Sequence, residues 1–158
     1  MEPVIALIGV TALLLLLGAR GVRRLRPWPV ALRGGLAAMF TLTGVAHFVG
    51  MRDELVAMVP PSIPAPELMV KITGLLELAG AAGLLIGWAV PYAAAGLTLQ
   101  LLAMFPANIY AAQHGIVTAG YDQIVPRTIM QVVFVAATAA VLVTSIGERR
   151  RGPVRIAA

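Results

Sequence analysis

The sequence contains no cysteine, so it can form neither disulfides nor thiolate-held zinc or iron–sulfur centres. Charged residues are also scarce. They make up 12% of the 158 residues, and a soluble domain of this size carries about twice that fraction. Mean hydropathy is +0.90. The composition therefore excludes a soluble globular protein and predicts one compact membrane domain over residues 1–158, with no separate soluble domain.

Long apolar runs are abundant, and they predict an all-α, polytopic transmembrane helical bundle. A membrane-crossing helix needs about 20 predominantly apolar residues. The five predicted spans are residues 4–19, 29–50, 68–88, 92–110 and 126–146, followed by a basic tail at 147–158. The first run is short, and a cleaved signal peptide is its alternative interpretation. No positive charge precedes it and its end is a poor cleavage site, so an uncleaved first helix is expected.

The net charge of +5 and the pI of about 10.8 come mainly from two arginine clusters. Their members are Arg20, Arg23, Arg24, Arg26 and Arg33 in the first, and Arg149, Arg150, Arg151 and Arg155 in the second. Both clusters flank apolar runs, as positive residues do on the cytoplasmic side of a membrane. The charge therefore indicates an N-out, C-in topology in a cell membrane, with the bacterial cytoplasmic membrane as the expected location, and not a nucleic-acid partner.

Glu77 lies near the middle of the third span. Acidic side chains within a membrane usually face the bundle interior and mark functional sites. The positions that share its helical face include Gly74, Gly80 and Ala81, which are small enough for neighbouring helices to approach. Glu77 is therefore predicted to point inward. The alternative is a structural role, in which a protonated or paired carboxyl group hydrogen-bonds to a neighbouring helix.

Other polar residues are predicted to gather at the outer end of the bundle. They are His47, Lys71, Asn108, Arg127 and Gln131, with Glu77 about 9–14 Å deeper by the helical rise. Gln100 is expected near mid-depth of the fourth span. Pro106, near the outer end of the same span, should kink the helix and free a backbone carbonyl near residues 100–103.

Each of these residues has a simpler interpretation. His47 and Lys71 could contact lipid headgroups, and Arg127 could anchor a lipid phosphate. Gln100 and Gln131 could join helices instead of binding a ligand. Lys71 lies roughly 120° from Glu77 around their helix, so it is not a stacked partner for the acid.

Several motifs in this order resemble a DoxX-like membrane protein over about residues 32–146. They are Gly44-Val-Ala-His47-Phe48, Val59-Pro60-Pro61-Ser-Ile-Pro64, Ile72-Thr-Gly74-Leu-Leu-Glu77-Leu-Ala-Gly80, Phe105-Pro106-Ala107-Asn108, and the pair Arg127 and Gln131. That family is generally a four-helix membrane unit. The span at residues 4–19 departs from the pattern, and the resemblance implies no role for it.

The resemblance implies two functions from different classes. Some DoxX-like proteins are named as membrane subunits of quinone-linked oxidoreductases, others, in animals, are assembly chaperones for membrane receptors, and many have no assigned activity. The first predicts a quinone or small-ligand site in the outer half, with Glu77 as a proton relay. Its ligand-binding residues would be His47, Lys71, Gln100, Asn108, Arg127 and Gln131.

No metal and no covalently bound cofactor is predicted. The chain has no cysteine and only two histidines, so a redox role needs a bound quinone and a partner subunit that carries the electron chemistry. A non-catalytic assembly or stabilising subunit is the alternative. A small transporter is a weaker hypothesis, because no pair of broken helices occurs in related halves. A homo-oligomer is compatible with the sequence.

Overall fold

The computed structural model describes residues 2–116 and 124–150. Within these ranges the chain is helical and contains no strand. The helices are α1 (Glu2–Ala19), α2 (Trp28–Ala46), α3 (Arg52–Ala57), α4 (Pro66–Leu85), α5 (Val90–Gln113) and α6 (Ile124–Arg150), with one 3-10 turn at Arg23–Leu25. All except α3 and the turn are long and apolar enough to cross a membrane.

Prolines mark the starts of three of these helices. Pro29, Pro66 and Pro91 occupy the first or second position of α2, α4 and α5. Proline is suited to this position because its fixed φ angle is helical and its missing N–H group has no partner in the first turn anyway. Ala65, which precedes α4, has a φ of 53°, so the chain turns sharply out of the proline-rich loop before the helix begins.

The helix ends differ from the predicted span limits. α2 ends at Ala46, before the predicted residue 50, and α4 ends at Leu85, before residue 88. α5 passes through Pro106 and continues to Gln113. The proline therefore does not end this helix, although it removes one backbone donor. α6 continues to Arg150, into the stretch predicted as a tail.

Four helices form a closed ring. Going round it, α2 contacts α4, α4 contacts α5, α5 contacts α6, and α6 returns to α2. α1 packs on the outside of this ring against α2. We call the end with the start of α2 and the end of α6 the arginine end. The opposite end, with α3 and the loop that leads into Pro66, is the proline end.

The hydrophobic core lies towards the arginine end. It is formed by one face of each ring helix together with Leu7 of α1, and its most deeply buried large side chains are Leu36, Met39, Phe40, Leu84, Val90, Leu97 and Val141. Many apolar side chains on the opposite faces of the helices are exposed, including Leu75, Leu99 and Val143. A helix that exposes leucine and valine outward in this way is suited to contact with lipid chains.

Candidate functional site

The crossing of α2 and α4 is made close by two glycines. A Cβ atom on Gly74 would lie 2.5 Å from the Cβ of His47, and one on Gly44 would lie 2.9 Å from the Leu78 side chain. These distances are shorter than real Cβ contacts allow, so glycine at both positions lets the helices approach. The approach brings the residues that follow each glycine by one turn, His47 and Glu77, onto facing surfaces.

At this crossing Thr43 connects His47 to Glu77. The Thr43 hydroxyl donates to Glu77 Oε2 at 2.5 Å, and its backbone carbonyl lies 2.8 Å from His47 Nδ1. Because a carbonyl oxygen only accepts, this contact assigns the proton of the neutral imidazole to Nδ1. His47 Nδ1 lies 4.0 Å from Glu77 Oε2. We call Thr43, His47 and Glu77 the acid–histidine cluster.

The acid–histidine cluster is almost closed to the surroundings. His47 is 4% exposed and Glu77 is 5% exposed, so Glu77 points inward as predicted. The prediction that Glu77 lies about 9–14 Å deeper than His47 is wrong, because their side chains are in contact range. α2 ends at Ala46, before the predicted limit, and its close crossing with α4 brings the last turn of α2 to the level of Glu77.

The carboxyl group of Glu77 has few hydrogen-bond partners. Within residues 2–116 and 124–150, Thr43 is the one side chain that hydrogen-bonds to it, through Oε2. A buried carboxylate has about four lone-pair sites and is stabilised by several donors. The second oxygen, Oε1, is therefore available to a donor that this part of the chain does not supply.

Lys71 does not join the acid–histidine cluster. It is exposed on the face of α4 that also carries Leu68 and Ile72, as its angle from Glu77 predicts. This face is apolar, and a lysine near the end of such a face can extend its ammonium group towards the membrane surface. The structure thus places Lys71 with the lipid-facing residues.

Gln100 and Gln131 bond to backbone carbonyls of neighbouring helices. Gln100 Nε2 donates to the carbonyl of Thr73 on α4 at 2.9 Å. Gln131 Nε2 donates to the carbonyl of Leu101 on α5 at 2.5 Å, next to the Leu102 carbonyl that loses its donor to Pro106. Both amides therefore join helices, which is the simpler of their two sequence-based interpretations.

Arg127 and Asn108 form a separate polar contact at the proline end. Arg127 Nη1 donates to Asn108 Oδ1 at 3.0 Å and lies 4.0 Å from the Met58 sulfur. This contact joins α6, α5 and the loop after α3. The fold thus divides the predicted outer-end group among four places: the acid–histidine cluster, the Arg127–Asn108 contact, the bond of Gln131 to the Leu101 carbonyl, and the lipid-facing Lys71.

Thr43 is the residue that the sequence-based set of site residues omits. Threonine is common in membrane helices, and Thr41 and Thr98 bond to carbonyls in their own helices. The available signal is its spacing: Thr43 lies four residues before His47, so the two share one face of α2. Only the position of α4 shows that Thr43 also reaches Glu77.

No group of three or more histidine, aspartate or glutamate side chains that could hold a metal ion occurs in the part of the chain that the structure describes. The acid–histidine cluster contains one carboxylate and one imidazole. A carboxyl group and an imidazole can both donate and accept hydrogen bonds.

The part of the chain that the structure describes is thus all-α, with five candidate membrane spans and a buried acid–histidine pair between two of them. The chain belongs to the family described as a domain of unknown function (DUF8561), whose model matches residues 36–143. That match begins within α2 and ends within α6, so it covers most of the four-helix ring and leaves out α1. Neither the curated proteins nor the solved structures contain a match.

Proposed function

We propose that this protein is a small integral membrane subunit of a quinone-linked oxidoreductase system, with a quinone site beside the acid–histidine cluster. The observation that carries the proposal is the buried contact of His47 with Glu77 through Thr43. Quinone reduction and oxidation are accompanied by proton transfer, and a buried imidazole and carboxylate are the groups that supply or take such protons.

An aromatic side chain beside the cluster supports the proposal of a quinone site. Phe48, which follows the end of α2, is exposed, and its ring carbon Cε2 would lie 3.0 Å from a Cβ at Gly74. An aromatic surface therefore lies next to His47, where a planar ring can pack. The unsatisfied Glu77 Oε1 and the imidazole provide hydrogen-bonding groups. A bound quinone would supply the electron transfer, with an electron donor on a partner subunit.

Within the cluster, each residue has a distinct role in this proposal. Thr43 holds the His47 proton on Nδ1 through its carbonyl and directs Oε2 of the acid through its hydroxyl. This leaves His47 Nε2 and Glu77 Oε1 as the atoms that exchange protons. His47, at the end of α2, takes or gives the proton on the proline-end side, and Glu77 holds it within the bundle.

The DoxX-like motifs support the same proposal. Gly44, His47, Gly74 and Glu77, which belong to those motifs, are the residues that make the α2–α4 crossing and its cluster. Their meeting in space gives a physical reason for the coincidence of these motifs in one chain. The arginine clusters favour an orientation with the proline end outside the cytoplasm.

The test is solvent extraction of the gently purified protein followed by mass spectrometry for isoprenoid quinones. Two variants keep local hydrogen bonds while removing the exchangeable groups. Glu77→Gln retains an oxygen that accepts from Thr43, and His47→Asn retains a donor near the Thr43 carbonyl. Glu67→Gln is the matched control, because Glu67 is an exposed acid on the same helix that pairs with Arg52 at 2.6 Å.

We expect near-stoichiometric quinone in the parent protein and in Glu67→Gln, and at least a tenfold lower content in both cluster variants. Quinone-dependent turnover with the native partner should likewise be retained in Glu67→Gln and lowered in Glu77→Gln and His47→Asn. Equal background quinone in all four proteins would contradict the proposal.

A second function, a non-catalytic assembly or stabilising subunit, is favoured by a different observation. Gln100 and Gln131 join neighbouring helices through backbone carbonyls, so part of the polar content stabilises the bundle. If this is the function, the protein will co-purify with a larger membrane protein in the same amount from cells that express the parent or Glu77→Gln. Loss of that association in Glu77→Gln would instead connect the partner to the cluster.

A further inference from the structure

A groove runs between α4 and α5 on the outside of the ring. Its volume is about 390 Å³, and it extends from Trp88 and Tyr92 at the arginine end to Gln100. Positions 92 and 100 are about 12 Å apart along the helix axis. One leaflet occupies half of a hydrocarbon core about 30 Å thick. The groove therefore begins at a membrane interface and extends through most of one leaflet.

Glycines give the groove its depth. A Cβ on Gly83 would lie 2.8 Å from the Cβ of Ala93, so the two helices are close at the floor. Gly96 differs, because no atom lies within 4 Å of its Cβ position. A Cβ atom at residue 96 would therefore lie in open space beside the groove that Gly96 lines.

A cation lies at the mouth of the groove. Arg149 donates from Nη2 to the carbonyl of Trp88, and its guanidinium carbon lies 5.3 Å from the centre of the Tyr92 ring. Arginine has five N–H donors in a planar fork, so the bond to Trp88 leaves others for a phosphate. The neighbouring acid, Glu148, pairs with Arg33 at 3.5 Å, so the charge at the mouth is positive.

The aromatic side chains at the mouth suit the headgroup region. Trp88 is 73% exposed and Tyr92 is 67% exposed. Tryptophan and tyrosine concentrate at membrane interfaces, because their rings are apolar on one side and polar on the other. The level of Arg149 is thereby fixed near the phosphates of the bilayer.

We propose that the α4–α5 groove binds one acyl chain of an anionic phospholipid whose phosphate group contacts Arg149. The apolar wall and glycine floor match a hydrocarbon chain, and the arginine fork matches a phosphate. Charge complementarity favours an anionic headgroup, since a zwitterionic lipid would bring its own cation to the Arg149 side. The groove opens on the α5 side of α4, whereas the acid–histidine cluster lies on its α2 side, so the proposal is independent of quinone binding.

Quenching of Trp88 fluorescence by brominated lipid tests the proposal. Trp28, the other tryptophan, is replaced by phenylalanine. The Trp28→Phe protein is reconstituted in phosphatidylcholine vesicles that contain either brominated phosphatidylglycerol or brominated phosphatidylcholine. We expect about fivefold stronger association of the anionic lipid, the preference that one basic residue near the surface confers.

Two matched pairs of variants locate the site. Arg149→Gln should remove the preference for the anionic lipid, whereas Arg150→Gln, which removes the same charge one residue away, should keep it. Gly96→Leu should fill the groove and weaken quenching by both lipids. Gly9→Leu, at an exposed position on α1 where the Cβ site also has no atom within 4 Å, should leave quenching unchanged.

Three results would overturn the proposal. Equal quenching by the two brominated lipids in the parent would exclude an anionic site. If Arg149→Gln and Arg150→Gln lost the preference for the anionic lipid equally, that preference would come from the general positive charge of the surface and not from a site at Arg149. Shielding of Trp88 from both lipids, together with a stable dimer, would show that a second copy of the chain covers the groove.

Discussion

The two ends of the four-helix ring are stabilised by different interactions. Towards the arginine end, Leu36, Phe40, Leu84 and Val141 pack as a continuous apolar core, and the ion pair of Arg33 with Glu148 lies at its rim. Towards the proline end, the interior holds Glu77 and other polar groups. Apolar packing requires only complementary volumes, whereas each buried polar group requires a partner of suitable geometry.

This difference indicates which end is suited to function. Among the described residues, the polar groups at the proline end include the amides of Gln100 and Gln131, which join helices, and the carboxyl group of Glu77, to which Thr43 is the one side chain that hydrogen-bonds. The apolar core offers no such group. We therefore interpret the arginine end as the packed support and the proline end as the site, and the following substitutions test that difference.

The largest effect is expected from Gly74→Leu, which forces α2 and α4 apart at the cluster. Its Cβ would lie 2.5 Å from that of His47, and overpacking of this kind costs about 3 kcal/mol. Unfolding in mixed detergent micelles with increasing dodecyl sulfate, followed by circular dichroism, measures the loss. Gly96→Leu is the control, because its Cβ position has open space. Equal destabilisation by the two variants would contradict the close crossing.

Leu36→Ala should destabilise the arginine end by about 2 kcal/mol. Removing a fully buried leucine leaves a cavity, although transfer to lipid contributes less than transfer to water because lipid chains are also apolar. Leu75→Ala, at a position 64% exposed, should change the free energy of unfolding by less than about 0.5 kcal/mol. Quinone content should be unchanged in both, and a loss in Leu36→Ala would show that the two ends are not separable.

Thr43→Val should cost about 1 kcal/mol, since it removes the donor to the Glu77 carboxylate while conserving shape. The same substitution at Thr41, which is exposed and bonds to the carbonyl of Ala37 in its own helix, should have little effect on the free energy of unfolding. An equally large loss of stability in Thr41→Val would show that the effect comes from α2 itself and not from the contact with Glu77.

Nitrogen NMR of a histidine-labelled sample should also show that His47 keeps its proton on Nδ1 in Thr43→Val, because the backbone carbonyl of residue 43 remains.

The smallest effect is expected from Arg52→Gln. Arg52 and Glu67 form an exposed pair between α3 and α4, and exposed pairs contribute about 0–1 kcal/mol. The difference from the parent should shrink further at high salt, because exposed charges are screened. A salt-independent loss greater than about 1 kcal/mol would show that this pair anchors the proline-end loop more firmly than its exposure implies.

Much of the fold follows from local features of the sequence. Apolar runs of sufficient length predicted the five helices. The inward direction of Glu77 follows from the small residues on its face. Exact helix ends were less predictable, because the last turn of α2 and the continuation of α5 past Pro106 depend on contacts with other helices.

The site was only partly predictable. His47 and Glu77 were both candidates, but their contact depends on the depth at which α2 crosses α4, which no spacing within either helix determines. Gln131 and Arg127 share one helix and a regular spacing, yet they bond to different parts of α5, Leu101 and Asn108. The expected depth of Lys71 in the membrane groups it with the other polar residues of the outer end. Its side chain, however, lies on the exposed face of α4, away from those residues.

The sequence by itself determined the number of apolar helices, the basic ends and the presence of an acid within a span, because length, charge and helical periodicity are properties of single segments. The tertiary structure decided which polar groups meet. Side chains on different helices come together only where packing brings the two helices close at the right depth. Here Gly44 and Gly74 allow α2 and α4 to cross closely, so that Thr43 joins His47 to Glu77.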